Sequence, residues 1–173
     1  MAEPVRYLLD ADTFIRSKRQ HYAYDFCPAY WEALIREHDQ GLLSSIMPVR
    51  EELLRGKNWL ADWVRDIAPA DFFEPVDDEA VQRAYASVMA YVNGDARYKT
   101  QAKARFARGA DPWLIAFAIA RNRVLVTYEA RDRESTTRIK LPDVADHFEL
   151  ESMAPYVMLR QLNVQFHLAD VVM

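Results

Sequence analysis

Residues 5–15 read VRYLLDADTFI, and this stretch decides the fold that we predict. The apolar run Tyr7-Leu8-Leu9 is followed at once by Asp10 and Asp12 and by the hydroxyl of Thr13. A short apolar run this close to the N-terminus predicts a buried strand, because no helix of sufficient length fits before it. Parallel α/β sheets bind ligands outside the carboxyl ends of their strands, so we expect Asp10 at the strand end and Asp12 in the next turn to face a site. Alternatively, Asp-x-Asp-Thr only begins a turn, since Asp and Thr side chains bond nearby backbone N–H groups.

Apolar runs and helical patterns alternate along the rest of the chain. Further strands are predicted at 42–47, 71–76, 124–126 and 147–150, with Pro75 placing the 71–76 strand at an edge. This alternation predicts an α/β fold with a mainly parallel sheet of about five strands in a three-layer α/β/α sandwich. The length of 173 residues fits a single domain, residues 1–173, with a tail from about residue 164 left unassigned.

Composition limits the class of protein. Cys27 is the one cysteine, which excludes an internal disulfide and a multi-cysteine zinc site. No apolar run approaches the roughly 20 residues of a membrane helix, and the N-terminus lacks a secretory signal pattern, so we expect a cytoplasmic protein with no membrane partner. The net charge of −4 argues against binding nucleic acid through bulk charge, but it leaves room for a local basic face.

Four acidic residues are expected to converge at the carboxyl edge of this sheet. Asp10 ends the first strand, Glu52 follows the second, Asp111 caps a buried helix that continues with Pro112, and Glu129 follows Thr127 after a central strand. Such acids repel one another unless a cation lies among them, and Mg²⁺ or Mn²⁺ suits a site made only of oxygen atoms. The alternative for Glu52 is a favourable charge in the first turn of a helix.

Two basic stretches are candidates to hold a phosphate backbone. Residues 16–27 interleave basic and aromatic side chains, and residues 97–108 are the most basic part of the chain. The candidate nucleic-acid-binding residues are Arg16, Lys18, Arg97, Lys99 and Lys103. The alternative is that both stretches are solvated helix faces.

Four motifs together resemble the PIN-domain nucleases, which include many ribonuclease toxins of bacterial toxin–antitoxin pairs. They are LLDADTFI, VREEL, ADPWLIAFA and VTYE, in this order. A Lys, a Tyr and an Asp-x-Cys-Pro pattern after the first strand, found here as Lys18, Tyr22 and residues 25–28, are similar to an uncharacterised bacterial PIN-like branch. The resemblance spans almost the entire chain.

The resemblance implies a PIN-like sandwich and a metal-dependent ribonuclease that hydrolyses RNA phosphodiester bonds with Mg²⁺ or Mn²⁺. By this likeness Asp10, Glu52 and Asp111 hold the metal, and Glu129 is the fourth acid of the catalytic set, where the family more often has Asp. Asp12, Thr13 and Thr127 then lie beside those residues. The likeness also implies an RNA substrate, a cognate antitoxin protein and a homodimer.

Two other readings remain open. A strand followed by Asp-x-Asp also begins the haloacid-dehalogenase-type phosphatases, with Asp10 as nucleophile and Asp12 as acid and base. Thr13 stands one position early for that pattern. A PIN-like fold can also serve as a non-catalytic RNA- or protein-binding module. An apolar surface on Trp59, Trp63 or the tail is either where an antitoxin docks or part of the core.

Overall fold

The structure is a computed structural model that describes residues 4–167 of the chain. Its centre is a sheet of five parallel strands in the order β3-β2-β1-β4-β5, which confirms the predicted α/β fold with a parallel sheet of about five strands. The strands are β1 (Tyr7–Leu9), β2 (Leu43–Ile46), β3 (Phe73–Glu74), β4 (Val124–Val126) and β5 (Ser152–Met153).

Helices connect successive strands, as parallel pairing requires. They are α1 (Ala11–Arg16), α2 (Pro28–Asp39), α3 (Met47–Leu54), α4 (Trp59–Asp62), α5 (Glu79–Gly94), α6 (Thr100–Arg108), α7 (Asp111–Arg121), α8 (Leu141–His147) and α9 (Pro155–Gln161). Single π-helical turns follow α1 at Ser17–His21 and α4 at Trp63–Ile67, and a short 3₁₀ turn, Ala70–Phe72, precedes β3. The arrangement fits the predicted three-layer α/β/α sandwich.

The order of the strands places a topological switch point between β1 and β4. From β1 the chain first builds β2 and β3 on one side, then crosses back to build β4 and β5 on the other side. Crevices form outside the carboxyl ends of the two strands that flank such a point, because the helices after them leave in opposite directions. Asp10 follows β1 and Thr127 follows β4, so both residues lie at this crevice.

The sheet is buried among apolar side chains. Leu8, Leu9 and Leu125 are fully buried, as expected of strands that are covered on both faces. An aromatic cluster built around Trp63 and Phe14 packs beside them, with ring centroids 6.1 Å apart. Trp63 is 1% exposed, so this side chain belongs to the core and is not a docking surface. Within residues 4–167, no helix has the length and apolar character to cross a membrane.

Several element boundaries differ from those predicted. Asp12 lies in the first turn of α1 and not in a turn after β1, because the chain enters the helix directly at Ala11. Asp111 is the first residue of α7 and not its cap, which is Ala110. The last strand forms at Ser152–Met153, where it pairs with β4, and not at 147–150. Residues 164–167 of the predicted tail form no helix or strand, and residues 168–173 lie outside the described part.

Candidate functional site

Asp10 is the most deeply buried acid of the predicted set, at 5% exposure. Its backbone N–H donates to the carbonyl of Val126 at 3.0 Å, which ties the end of β1 to the end of β4. The Thr127 hydroxyl donates to its Oδ2 at 2.7 Å. Burial raises the pKa of Asp10 to about 7, Asp12 and Glu129 add to the rise, and the Thr127 hydrogen bond opposes it. Asp10 is therefore a positioned carboxyl group that ionises near neutral pH.

The other three predicted acids line one cavity of about 180 Å³ next to Asp10, and we call it the acid cavity. Glu52, Asp111 and Glu129 contribute to its wall. Burial raises the pKa of Asp111 well above its usual range, and the charges of Asp10, Glu129 and Glu52 raise it further. The structure thus brings all four predicted acids to the carboxyl edge of the sheet.

The Glu52 carboxylate lies close to the start of α7. Glu52 extends from α3 toward the segment that joins α6 to α7, where Gly109 precedes Ala110 and Asp111. A Cβ atom on Gly109 would lie 3.7 Å from Glu52 Oε1, which is an ordinary van der Waals distance. Glu52 therefore approaches the start of α7, the helix whose first residue is Asp111.

Asp12 carries a buried oxygen atom without a hydrogen-bond partner. Arg16 Nε lies 3.1 Å from both carboxylate oxygens, but the geometry makes a hydrogen bond only to Oδ1. Within the described chain, Oδ2 has no partner, and such buried polar atoms call for water or an ion. Burial raises the pKa of Asp12 and Glu129 adds to the rise, while Arg16 opposes it.

Glu129 is held by its neighbours, unlike the other acids of the cavity. Its Oε1 accepts from Arg138 and Lys140 at 3.3 Å each, and its Oε2 accepts from the backbone N–H of Leu141 at 3.0 Å. Its own N–H donates to the Thr127 hydroxyl at 3.0 Å. Glu129 therefore anchors the end of the loop 130–140 and the start of α8, as well as adding charge to the cavity.

Two arginines that the sequence did not single out also line the acid cavity. Arg105 comes from α6 and Arg138 from the loop before α8. The same two residues, with Lys99, line an adjoining cavity of about 280 Å³. On the side of α1, Lys18 and Arg19 share a cavity of about 130 Å³ with Glu52. Cationic side chains therefore flank the acids on two sides.

Among the predicted basic residues, Lys18 and Lys99 line these flanking cavities and three others are engaged elsewhere. Arg97 binds the carboxylate of Asp95, the carbonyl of Arg133 and the hydroxyl of Tyr98. The others are Lys103, whose Nζ donates to the Asn93 carbonyl at the end of α5, and Arg16, which pairs with Asp12. The basic character of residues 97–108 could have indicated Arg105 as a site residue. Nothing in the sequence around Arg138 indicated that it lies in the site.

Thr13 and Thr127, both predicted to lie beside the acids, have different roles. Thr127 contacts Asp10 directly through the hydrogen bond described above. The Thr13 hydroxyl donates to the carbonyl of Val126 at 2.8 Å and is fully buried. Thr13 therefore joins α1 to β4 and offers no donor to the cavity.

A family model described as "Domain of unknown function (DUF4411)" matches residues 7–166. The chain belongs to the DUF4411 family. The matched span runs from the first residue of β1 past the end of α9, so it contains the whole sheet and all four acids of the candidate site. A search of curated proteins found no match to this DUF4411 chain.

The donors of the site suit a hard divalent cation. Its side chains offer carboxylate oxygens, including Oδ2 of Asp12, which accepts no hydrogen bond within the described residues. In the described ranges, no three His, Cys, Asp or Glu side chains are already grouped tightly enough to hold a metal between them. Mg²⁺ keeps several of its waters and needs only one or two carboxylates, so its binding does not require such a group.

Proposed function

We propose that this DUF4411 protein is a Mg²⁺- or Mn²⁺-dependent ribonuclease. The observation that carries the proposal is the pair Asp10 and Asp111 at the switch point of the sheet: burial raises the pKa of both acids, and the charge of Asp10 raises that of Asp111 further. Ionising both acids at neutral pH costs free energy, and a divalent cation between them would offset that cost. The PIN-like order of the four motifs supports the same function.

Asp10, Asp111 and Glu52 would hold the ion. Thr127 occupies one oxygen of Asp10 and fixes the side chain, which leaves the other oxygen for the ion. Glu52 is part-exposed on α3 and has no hydrogen bond to its carboxylate in residues 4–167, so its side chain is available to turn toward the ion. When bound, such an ion lowers the pKa of a coordinated water and neutralises charge on a phosphate.

Arg105 and Arg138 would hold the phosphate group that enters the acid cavity. Both guanidinium groups line the cavity that the acids share, and arginine offers paired N–H donors that match two phosphate oxygens. Glu129 then orients Arg138 through their 3.3 Å contact. This role for the fourth acid needs no contact between Glu129 and a metal.

Lys18, Arg19 and Lys99 would hold the RNA backbone on either side of the cleaved bond. Their cavities adjoin the acid cavity through shared residues, Glu52 on one side and Arg105 on the other. A polyanion that crosses the acids would therefore meet cations before and after them. A cognate antitoxin and a homodimer follow from the PIN-like resemblance, and the cytoplasmic location expected from the sequence belongs to the same proposal.

A thermal melt with and without Mn²⁺ tests the metal site, and cleavage of a labelled single-stranded RNA tests the activity. We expect Mn²⁺ to raise the melting temperature of the native chain by several degrees, because an ion that binds only the folded state stabilises it. Asp10→Asn and Asp111→Asn should lose both the rise and the cleavage. Asp66→Asn, on an exposed carboxylate of the π-helical turn after α4, is the matched control and should keep both.

Retained Mn²⁺-dependent cleavage in either Asp10→Asn or Asp111→Asn would overturn the site assignment.

A second function is supported by Glu129, whose two carboxylate oxygens are already engaged by Arg138, Lys140 and Leu141. Its position is that of a catalytic acid in the PIN-like pattern, so its structural use favours a non-catalytic RNA-binding module. RNA binding without cleavage and without a Mn²⁺ effect on the melt would establish that function.

A further inference from the structure

A second polar cavity, of about 520 Å³, lies at the amino ends of the central strands, and we call it the amino-end cavity. Residues that come directly before β1 and β4 line it, together with the start of β2 and residues of α2 and β3. Its lining residues are Arg6, His38, Asp39, Gly41, Leu43, Ser44, Asp71, Glu74 and Arg123. The acids of the candidate nuclease site follow the strands, so the two sites lie at opposite ends of the sheet.

The Arg123 side chain is mostly buried in this cavity, and among the described residues its guanidinium group forms an ion pair with Glu74 but no hydrogen bond. Its side chain is 11% exposed, and its Nε is buried without a hydrogen-bond partner among the described residues. Its nearest anion is Glu74, at 3.6 Å from Nη2 to Oε1, which is beyond hydrogen-bonding distance. Burial lowers the pKa of Arg123, the charge of Glu74 opposes this shift, and Arg6 and Arg121 lower the pKa further. A buried guanidinium with unused donors calls for a bound anion or water.

Arg6 places a second positive charge beside Arg123. Tyr7 of β1 pairs in register with Val124 of β4, so the residues before them, Arg6 and Arg123, begin two neighbouring strands. The N–H of Val124 donates to the carbonyl of Arg6 at 2.9 Å, which fixes this register. No carboxylate within residues 4–167 forms an ion pair with Arg6. The two like charges repel each other across one edge of the cavity.

The acids of the cavity wall have partners of their own. Glu74 Oε1 accepts from the Ser44 hydroxyl at 2.6 Å, and Asp71 Oδ1 lies 3.2 Å from His38 Nε2. Asp39 is exposed to solvent. Among the described residues, the side chains of Arg6 and Asp39 have no hydrogen-bond or ion-pair partner, and that of Arg123 has only its 3.6 Å contact with Glu74.

We propose that the amino-end cavity binds a small molecule through an oxyanion, a carboxylate or phosphate group, held between Arg123 and Arg6. Planar guanidinium groups bind the paired oxygens of such anions, and the buried Nε of Arg123 would gain an acceptor. The volume of the cavity is in the range of small-molecule sites. The site is separate from the proposed nuclease chemistry and does not depend on it.

Isothermal titration of the full chain with sodium phosphate and with sodium acetate, at an ionic strength held constant with sodium chloride, tests the proposal. We expect saturable binding of at least one of the two anions, and the stronger one identifies the oxyanion as phosphate or carboxylate. Arg123→Gln and Arg6→Gln should each weaken binding about tenfold or more, because each removes charge-assisted hydrogen bonds. Arg6 is exposed, so Arg6→Gln should fold even if Arg123→Gln does not.

Arg83→Gln is the matched control, since it removes the same charge from an exposed position on α5 outside the cavity. It should bind like the native chain, and so should Asp10→Asn, which disables only the proposed nuclease site. The general stabilising effect of phosphate on proteins is not saturable and does not depend on Arg6. The proposal is wrong if neither anion shows saturable binding, or if Arg6→Gln binds as tightly as Arg83→Gln.

Discussion

Burial of Asp10 opposes its ionisation, and this lowers the stability of the folded protein at neutral pH. The pKa is 3.8 in the unfolded chain and about 7 in the folded protein, so the folded state holds a proton that the unfolded chain loses between these values. The stability that protonated Asp10 contributes to the folded state is fully present below about pH 4, and it is lost as the pH rises through about 7. The difference corresponds to about 4 kcal/mol in the free energy of unfolding at neutral pH.

We therefore predict that Asp10→Asn stabilises the metal-free protein at about pH 8 and changes it little at about pH 4. Urea unfolding of both proteins at these pH values, with a chelator present, measures the effect. Subtracting the free energies of unfolding of the two proteins at each pH removes the contribution of titrating groups that the variant leaves unchanged. Equal free energies of unfolding at the higher pH would contradict the burial of an ionised Asp10.

Thr127 controls how far Asp10 is perturbed. Its hydroxyl donates to Asp10 and accepts from the N–H of Glu129, and Thr127 is 3% exposed. Thr127→Val keeps the shape but removes both hydrogen bonds, so we expect a loss of about 1–3 kcal/mol in stability and a further rise in the pKa of Asp10. Thr127→Ser keeps the hydroxyl and is the control. Denaturant unfolding and an NMR titration of Asp10 measure the two effects, and identical behaviour of both variants would count against this role.

At the scale of elements, Glu129 links β4 to α8 across a loop of irregular structure. It accepts from the first backbone N–H of α8, at Leu141, and contacts Arg138 and Lys140. Glu129→Gln removes the charge and weakens these bonds, so we predict about tenfold faster hydrogen exchange at Leu141 and in the loop 130–140. Glu134→Gln, in the exposed part of the same loop, is the control. Unchanged exchange at Leu141 would show that the loop is held by other contacts.

Local sequence patterns predicted most elements but could not predict contacts between distant ones. Each of the five strands follows from a short apolar run, except that the last was expected at 147–150. There His147 instead stacks on Tyr91 of α5, with ring centroids 3.6 Å apart, and the strand forms where Ser152 can pair with Leu125. Arg138 was missed for the same reason, because only the fold brings its loop to the acids. Asp10, Asp111 and Glu129 were predictable because each follows a strand or begins a helix. Glu52 was expected about one turn after the second strand, and it is the sixth residue of α3, outside the first turn of that helix.

For the whole molecule, charge is distributed unevenly around a net value of −4. Acids occupy the crevice at the carboxyl ends of the strands, and cations of the π-helical turn after α1, of α6 and of the loop before α8 flank them. If this negatively charged protein binds RNA as proposed, it does so through local contacts and not through its overall field. The affinity for RNA should then depend on a few specific cations and fall as salt rises.

We predict that Arg105→Gln weakens the binding of a single-stranded RNA about tenfold and reduces the slope of log affinity against log salt by about 0.7, as expected for the loss of one phosphate contact. Arg83→Gln, on the exposed face of α5, should change neither quantity, although it alters the net charge equally. Fluorescence anisotropy across a series of salt concentrations measures both, with Asp10→Asn as the background so that the RNA stays intact. Equal effects of the two arginine variants would mean that net charge, and not the flank of the acid cavity, governs binding.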